Sequence, residues 1–280
     1  MKNLGQLCKA RVLREVSAGA IVEVGEGDEV LLPGKFCPDG LEGEIEVFLY
    51  LDSDGLPVAT TQTPRAQVGQ FAYLEAIDNS DYGTFLDWGL DKDLLAPFGE
   101  QHRPMEVGRS YLVYVHISRA DGRIIASSKI DKFLNDQRPY NFRVGQSVEL
   151  IIANSTDLGF KAIVDHSHWG VLYKNEVKER LSFGQRKSGF VKYIRPDGKL
   201  DLTLEGTKEA RDNNSRTILS YLLANDNYAA IHDKSPPELI QRLLGMSKGA
   251  FKKSIGGLYK RGVIAIEDGG IRLIKPEDAR

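Results

Sequence analysis

Two aromatic side chains, Tyr82 and Phe85, stand three residues apart in the segment DYGTFLDWG (81–89). Rings at this spacing either pack from a strand into the core or, if exposed, offer flat apolar faces on which unpaired bases stack, each contact contributing about 1–3 kcal/mol. Arg123, directly after an Asp-Gly pair, adds a planar guanidinium that can reach a phosphate or lie on a base. Tyr73, alternating with Phe71 along the preceding apolar stretch, and Arg119, four residues before Arg123, complete this candidate set. His166 and His168 would point to one side of a strand, as a metal pair requires, but no third or fourth ligand lies near them. Asp87, Asp91 and Asp93 could in principle hold Mg²⁺ for a nuclease, although acids at a strand end are usually just solvated. No P-loop, nucleophile elbow or zinc-hydrolase signature occurs, so neither a catalytic residue nor a cofactor is expected.

These residues must be positioned by repeating elements. LGQLCKARVL (4–13), VGQFAYLEAI (68–77) and VGQSVELIIA (144–153) are near copies, with Gly-Gln ahead of an alternating strand. SAGAIVEVG (17–25), DYGTFLDWG (81–89) and DLGFKAIVD (157–165) each place a glycine turn before a second apolar strand. Short third strands follow at 30–33, 93–98 and 170–176. Paired strands then close around Asp54-Gly55, Asp121-Gly122 and Asp197-Gly198, a strong hairpin signal. Five short strands in this order predict a small OB barrel, three times over. The expected limits are 1–63, 64–140 and 141–206. Residues 207–280 change texture: an apolar stripe at Ile218, Leu219, Leu222 and Leu223 predicts one helix. Ser235 as N-cap with Glu238 three residues on predicts a second, Ser247 to about Gly262 a third, and VIAIEDGGIRLI (263–274) a hairpin. The fold class is therefore mainly β with an α+β tail: three OB barrels followed by a winged helix.

Net charge is −2 overall, but the four segments carry −6, −2, +2 and +4 in order, so a polyanion partner is expected toward the C-terminal half. In the third repeat Phe160, Lys161, Lys192 and Arg195 could follow a phosphate backbone. The last helix carries Lys248, Lys252, Lys253, Lys260 and Arg261 largely off its apolar stripe, and no acid interrupts residues 239–266. The alternative for this helix is a basic solvated face. Trp88 and Trp169, each beside a glycine, read as core anchors. Only Cys8 and Cys37 are present, which argues against a disulfide framework. With no long apolar run, and a start too polar for a signal peptide, the chain reads as a cytoplasmic monomer without membrane contact, its modules strung as beads.

VGQFAYLEAI, DYGTFLDWG, DLLAPF (93–98) and GRIIASSK (122–129) resemble the S1-type RNA-binding domain. The resemblance implies that Tyr82, Phe85 and Arg123 contact RNA. It departs at Ala96, where the family commonly has histidine, and at Arg119, where it has aspartate. Repeat one has Ala18, Ile21 and Leu56 at the three contact positions, and repeat three has Leu158, Lys161 and Lys199. Three S1-like units before a winged helix are similar to the bacterial conserved virulence factor B family, with GVLYKNEV and IRPDGKLDLTL especially close. That resemblance implies a non-enzymatic protein binding single-stranded RNA and regulating gene expression after transcription, with duplex nucleic acid as a second ligand of the winged helix. A protein-interaction scaffold and a DNA-binding transcriptional regulator are the alternatives.

Overall fold

The computed structural model describes residues 3–25, 27–134, 142–177, 179–205 and 208–274. By internal contacts the chain divides into two units, Met1–Phe133 and Leu134–Arg280. The expected domain limits at 140/141 and 206/207 lie outside the described residues.

In the first unit, β1 (Leu7–Val16), β2 (Gly19–Val24), β3 (Asp28–Pro33), β4 (Glu44–Leu51) and β5 (Pro57–Thr60) close into a barrel of order β1-β2-β3-β5-β4. The second set is β6 (Phe71–Ser80), β7 (Gly83–Leu86), β8 (Leu94–Pro97), β9 (Ser110–Ile117) and β10 (Ile124–Ser127), in the order β10-β9-β6-β7-β8. Here β8 and β10 lie side by side without a ladder between them. Gln101 takes over part of the pairing: its buried Nε2 donates to the Ala96 carbonyl at 2.9 Å and to Thr84 Oγ1 at 3.1 Å. A buried carbonyl left without a donor would cost about 1–3 kcal/mol, so this one side chain substitutes for a missing strand bond.

The Gly-Gln pairs that open the repeats have a shared physical cause. Gly5, Gly69 and Gly145 sit at φ of 77°, 92° and 84°, a conformation glycine adopts without a Cβ clash. The glutamine carbonyl then ties the turn, with Gln67 N–H donating to Gln70 Oε1 at 2.9 Å and Arg143 N–H to Gln146 Oε1 at 3.0 Å. In the first repeat Gln6 instead donates from Nε2 to the Val68 carbonyl at 2.7 Å, which links barrel one to barrel two. Phe48 of β4 meets Trp88 edge-on at 5.3 Å, and the Trp88 indole donates to the Ala66 carbonyl at 2.6 Å. The beads-on-a-string expectation is thus corrected for these two barrels: Phe48 is buried in the core of the second, so they share apolar packing.

In the second unit, β11 (Ser147–Ser155), β12 (Gly159–Val164), β13 (His168–Tyr173), β14 (Arg186–Ile194) and β15 (Leu200–Thr203) form a closed barrel of order β11-β12-β13-β15-β14. The winged helix follows as α1 (Lys208–Ala224), β16 (Tyr228–Ala229), α2 (Pro237–Leu244), α3 (Lys248–Lys260), β17 (Ile264–Glu267) and β18 (Gly270–Leu273), with sheet order β16-β18-β17. Ser247 caps α3 by accepting from Ala250 N–H at 3.3 Å. The capping box at Ser235 does not form. Helix α2 begins at Pro237, and the Ser235 hydroxyl instead accepts from His232 N–H at 2.9 Å, stabilising the preceding turn.

The β12–β13 turn holds Asp165 and His166 at φ of 43° and 53°. Burial pushes the Asp165 carboxyl up to about 6, with Glu149 adding to the rise against the backbone N–H of Glu149 that it accepts. Burial, then Arg186, pulls His166 down to about 4. The signs oppose. Asp165 costs the fold stability as pH rises from its ordinary value of 3.8 through about 6, whereas His166 costs it as pH falls from 6.5 through about 4. Asp165→Asn keeps an acceptor and tolerates a left-handed backbone. It should stabilise the second unit at pH 7.5 by about 1–2 kcal/mol after allowance for partial solvation, seen as a higher melting temperature. The gain should shrink as pH is lowered through 6, which a pH series of thermal melts checks.

Candidate nucleic-acid interface

The β6–β7 turn is built to fix Tyr82. Tyr82 N–H donates to Ser80 Oγ at 3.3 Å, and Ser80 Oγ donates to the Gly83 carbonyl at 3.0 Å. Thr84 points inward and donates to Asn79 Oδ1 at 2.8 Å. Gly83 is demanded by a close approach: a Cβ there would lie 2.2 Å from the Ala96 carbonyl oxygen. Gly19 and Gly159 meet Leu32 O and Leu172 O at 2.1 and 2.0 Å, so the repeated glycine belongs to the barrel.

Tyr82 is 79% exposed, while Phe85 is half-buried on the outer face of β7, between Asp78 of β6 and Leu95 of β8 in register. Tyr73 is 39% exposed on β6, whereas Phe71 is buried, its ring meeting Tyr114 at 4.7 Å between centroids and a tilt of 50°. Trp88 is core. Arg123, exposed at the start of β10, lies 3.9 Å from Asp121, whose carboxyl is held low by the Ser118 hydroxyl and by Arg123. Arg119 is exposed in the same loop. Lys92 donates to the carbonyls of Leu51 and Asp52, and burial followed by the Arg123 charge lowers its pKa. On the other side, burial, then Asp87 and Asp78, raises Asp93. The second barrel thus carries both cations, Lys92 and Arg123, and a group of carboxylates, Asp78, Asp87 and Asp93, with Asp78 directly opposite Phe85 in register.

The register places the sister residues as expected. Ile21, Phe85 and Lys161 oppose Leu31, Leu95 and Val171 on equivalent ladders. In the third barrel the cations are engaged within the fold. Lys161 Nζ lies 3.7 Å from the Trp169 ring centre, Lys192 pairs with Glu176, and Arg195 pairs with Asp201 at 2.7 Å and also bonds the Tyr173 hydroxyl. Any phosphate would have to replace those partners.

Helix α3 presents exposed Lys252, Lys253 and Lys260, with Lys252 3.7 Å from Asp233; Lys248, in the first turn, is half-buried. The N-terminal end of α3 packs on barrel three. The Ser147 and Ser247 hydroxyls share a buried hydrogen bond at 2.9 Å, and Ser188 Oγ lies 2.5 Å from where a Gly249 Cβ would be. Phe190 of β14 joins the winged-helix core. The exposed aromatic Phe98, just beyond β8, was not among the sequence candidates; its N–H donates to the Tyr82 carbonyl at 3.2 Å. A phenylalanine directly after a strand-ending proline is the signal that could have found it.

With this geometry in place, the comparisons with known proteins are specific. The CvfB-like winged helix domain matches residues 216–273, and the S1 domain matches residues 4–62. The chain is 26% identical over 240 residues to conserved virulence factor B of Staphylococcus saprophyticus, covering 82% of this chain and 79% of that protein. The chain is thus similar to the CvfB-like proteins in its winged helix and along most of its length. The chain is also 28% identical over 280 residues to the uncharacterized protein YitL of Bacillus subtilis, covering 95% and 92% of the two chains. A solved Streptococcus pneumoniae structure, described as a multidomain protein with nucleic acid binding domains, aligns at 23% identity and a TM-score of 0.40, covering 98% and 99%. The matched domains are nucleic-acid-binding types and not enzyme families. The S1 match falls on the acidic first barrel, whereas exposed Tyr73, Tyr82 and Phe98 lie in the second; Phe183 and Tyr193 of the third barrel and Tyr259 of α3 are exposed as well. Among the described residues, no helix is long and apolar enough to cross a membrane, and no group of metal-ligating side chains gathers, His166 and His168 included.

Proposed function

We propose that the chain is a non-enzymatic, cytoplasmic, monomeric protein that binds single-stranded RNA through its second barrel and regulates gene expression after transcription. The observation that carries this reading is the exposed Tyr82, with Phe85 on the following strand and an exposed Arg123 before β10, on a barrel whose two sisters lack both rings. Exposed rings serve bases that are already unpaired, because a duplex hides the faces they would stack on. Single-stranded RNA is favoured over a duplex ligand by one further feature. The end of α3 that would enter a major groove is occupied by Ser147 and Ser188 of barrel three, leaving Lys252, Lys253 and Lys260 for phosphate contacts from the side.

A salt-series titration of the full chain against single-stranded RNA, single-stranded DNA and duplex DNA tests this. Tightest binding to single-stranded RNA is expected, with log affinity falling against log salt by about 0.7 for each phosphate contact. A duplex preference, or negligible affinity for single strands at physiological salt, would overturn it in favour of a DNA-binding or protein-interaction role.

A further inference from the structure

The three barrels share a backbone bond that pairs one residue before β7 with one residue after β8, and likewise in the sisters. Gly34 N–H donates to Ala18 O at 2.9 Å, Phe98 N–H to Tyr82 O at 3.2 Å, and Lys174 N–H to Leu158 O at 3.0 Å. The register leading to these bonds is the same in each barrel: Gly19 opposes Pro33, Gly83 opposes Pro97 and Gly159 opposes Tyr173. The paired positions are therefore Ala18 with Gly34, Tyr82 with Phe98, and Leu158 with Lys174. Only the middle barrel puts an aromatic at both.

A structural role does not account for that pair. The sister barrels close without rings at these positions, and in the first an open cleft of about 490 Å³ borders the site, lined in part by Ser17, Gly19, Gly34 and Leu41. Nor are the rings covered in the second barrel, since Tyr82 is 79% and Phe98 55% exposed. Leaving two large apolar rings in water at directly opposed positions is unfavourable unless a ligand covers them. Their backbones are fixed, by Ser80 and by the bond between them, so little ordering remains when a flat ligand arrives.

We propose that Phe98 is a base-stacking residue of the second barrel, extending the Tyr82 and Phe85 surface by one further nucleobase of a single-stranded ligand. This rests on the reading of barrel two as a single-strand site and adds a contact that the S1 resemblance does not supply. Lys129 anchors the same rim by donating from Nζ to the Gly99 carbonyl at 2.5 Å, so its charge lies beside the added base.

The test is a titration of the full chain with a short oligoadenylate at several salt concentrations, comparing wild type with Phe98→Ala, Phe98→Trp and the Tyr82→Ala, Phe85→Ala pair. Phe98→Ala should weaken binding by about fivefold or more. Its salt slope should be unchanged, because a ring carries no phosphate contact, and Phe98→Trp should bind at least as tightly as wild type. Thermal melts confirm that the variants fold, as the sister residues Gly34 and Lys174 lead one to expect. Phe98→Ala within twofold of wild type, beside a weakened Tyr82→Ala, Phe85→Ala pair, would overturn the role of Phe98 alone. Failure of wild type to bind the oligoadenylate would remove the single-strand reading and this extension together.

Discussion

A chain carrying both Tyr82→Ala and Phe85→Ala binds a short unstructured RNA at least about tenfold more weakly than wild type, read by fluorescence anisotropy at fixed salt. Two stacking contacts are lost at once, and the charged groups around them stay in place. The fold should survive, because the first barrel closes with Ala18 and Ile21 at these positions and the third with Leu158 and Lys161. The salt dependence of the residual binding should match wild type, since Arg123 and the lysines of α3 are untouched. Unchanged affinity in the folded double variant would take barrel two out of the site and turn attention to α3. Asp78, opposite Phe85 in register, and the interacting Asp87 and Asp93 favour stacking over phosphate attraction as the expected contribution at this face.

The second large effect concerns stability. Gly83→Ala should lower the stability of the first unit by about 1–3 kcal/mol, seen as an earlier thermal transition. The new Cβ would stand 2.2 Å from the Ala96 carbonyl oxygen and 2.7 Å from Pro97 Cα, and these are backbone atoms that move only with β8 itself. Because Phe48 and Trp88 join the two barrels of that unit, the damage should not stay local. Gly256→Ala in α3 supplies the opposite sign. That position has open space around it and lies in a helix, so the same added methyl should stabilise by about 0.5–1 kcal/mol. A Gly83→Ala chain that melts at the wild-type temperature would mean that the β7–β8 approach is looser than its geometry.

The strand order, the repeated glycines and the three hairpins were legible in the sequence because each follows from local rules repeated three times. Gly19, Gly83 and Gly159 meet the same carbonyl in each barrel, so the same residue recurs in the same place. Phe98 escaped because its sisters are Gly34 and Lys174. Similarity between repeats passes over a position where all three differ, and only the backbone bond reveals that they are equivalent. The joining of barrels was equally hidden: Phe48 reads as an ordinary strand residue, and its burial against Trp88 depends on how two barrels meet. Ser235 shows the limit of a capping pattern, since Pro236 and Pro237 displace the helix start and leave the hydroxyl to a different turn. The lysines and arginine of barrel three looked available because their partners Glu176, Asp201 and Trp169 sit on other strands or turns, and strand pairing alone brings them together.

The seam between barrel three and the winged helix bears on how such a chain can be reassembled in evolution. Phe190 belongs to the barrel by chain order and to the winged helix by packing, and the Ser147 hydroxyl spends its hydrogen bond on Ser247. A foreign winged helix spliced on at this point would leave an uncovered phenylalanine and an unmatched buried hydroxyl. Exchange of the winged helix should therefore require compensating changes at Phe190 and Ser147, whereas the exposed rings of Tyr82 and Phe98 can each be changed by a single substitution.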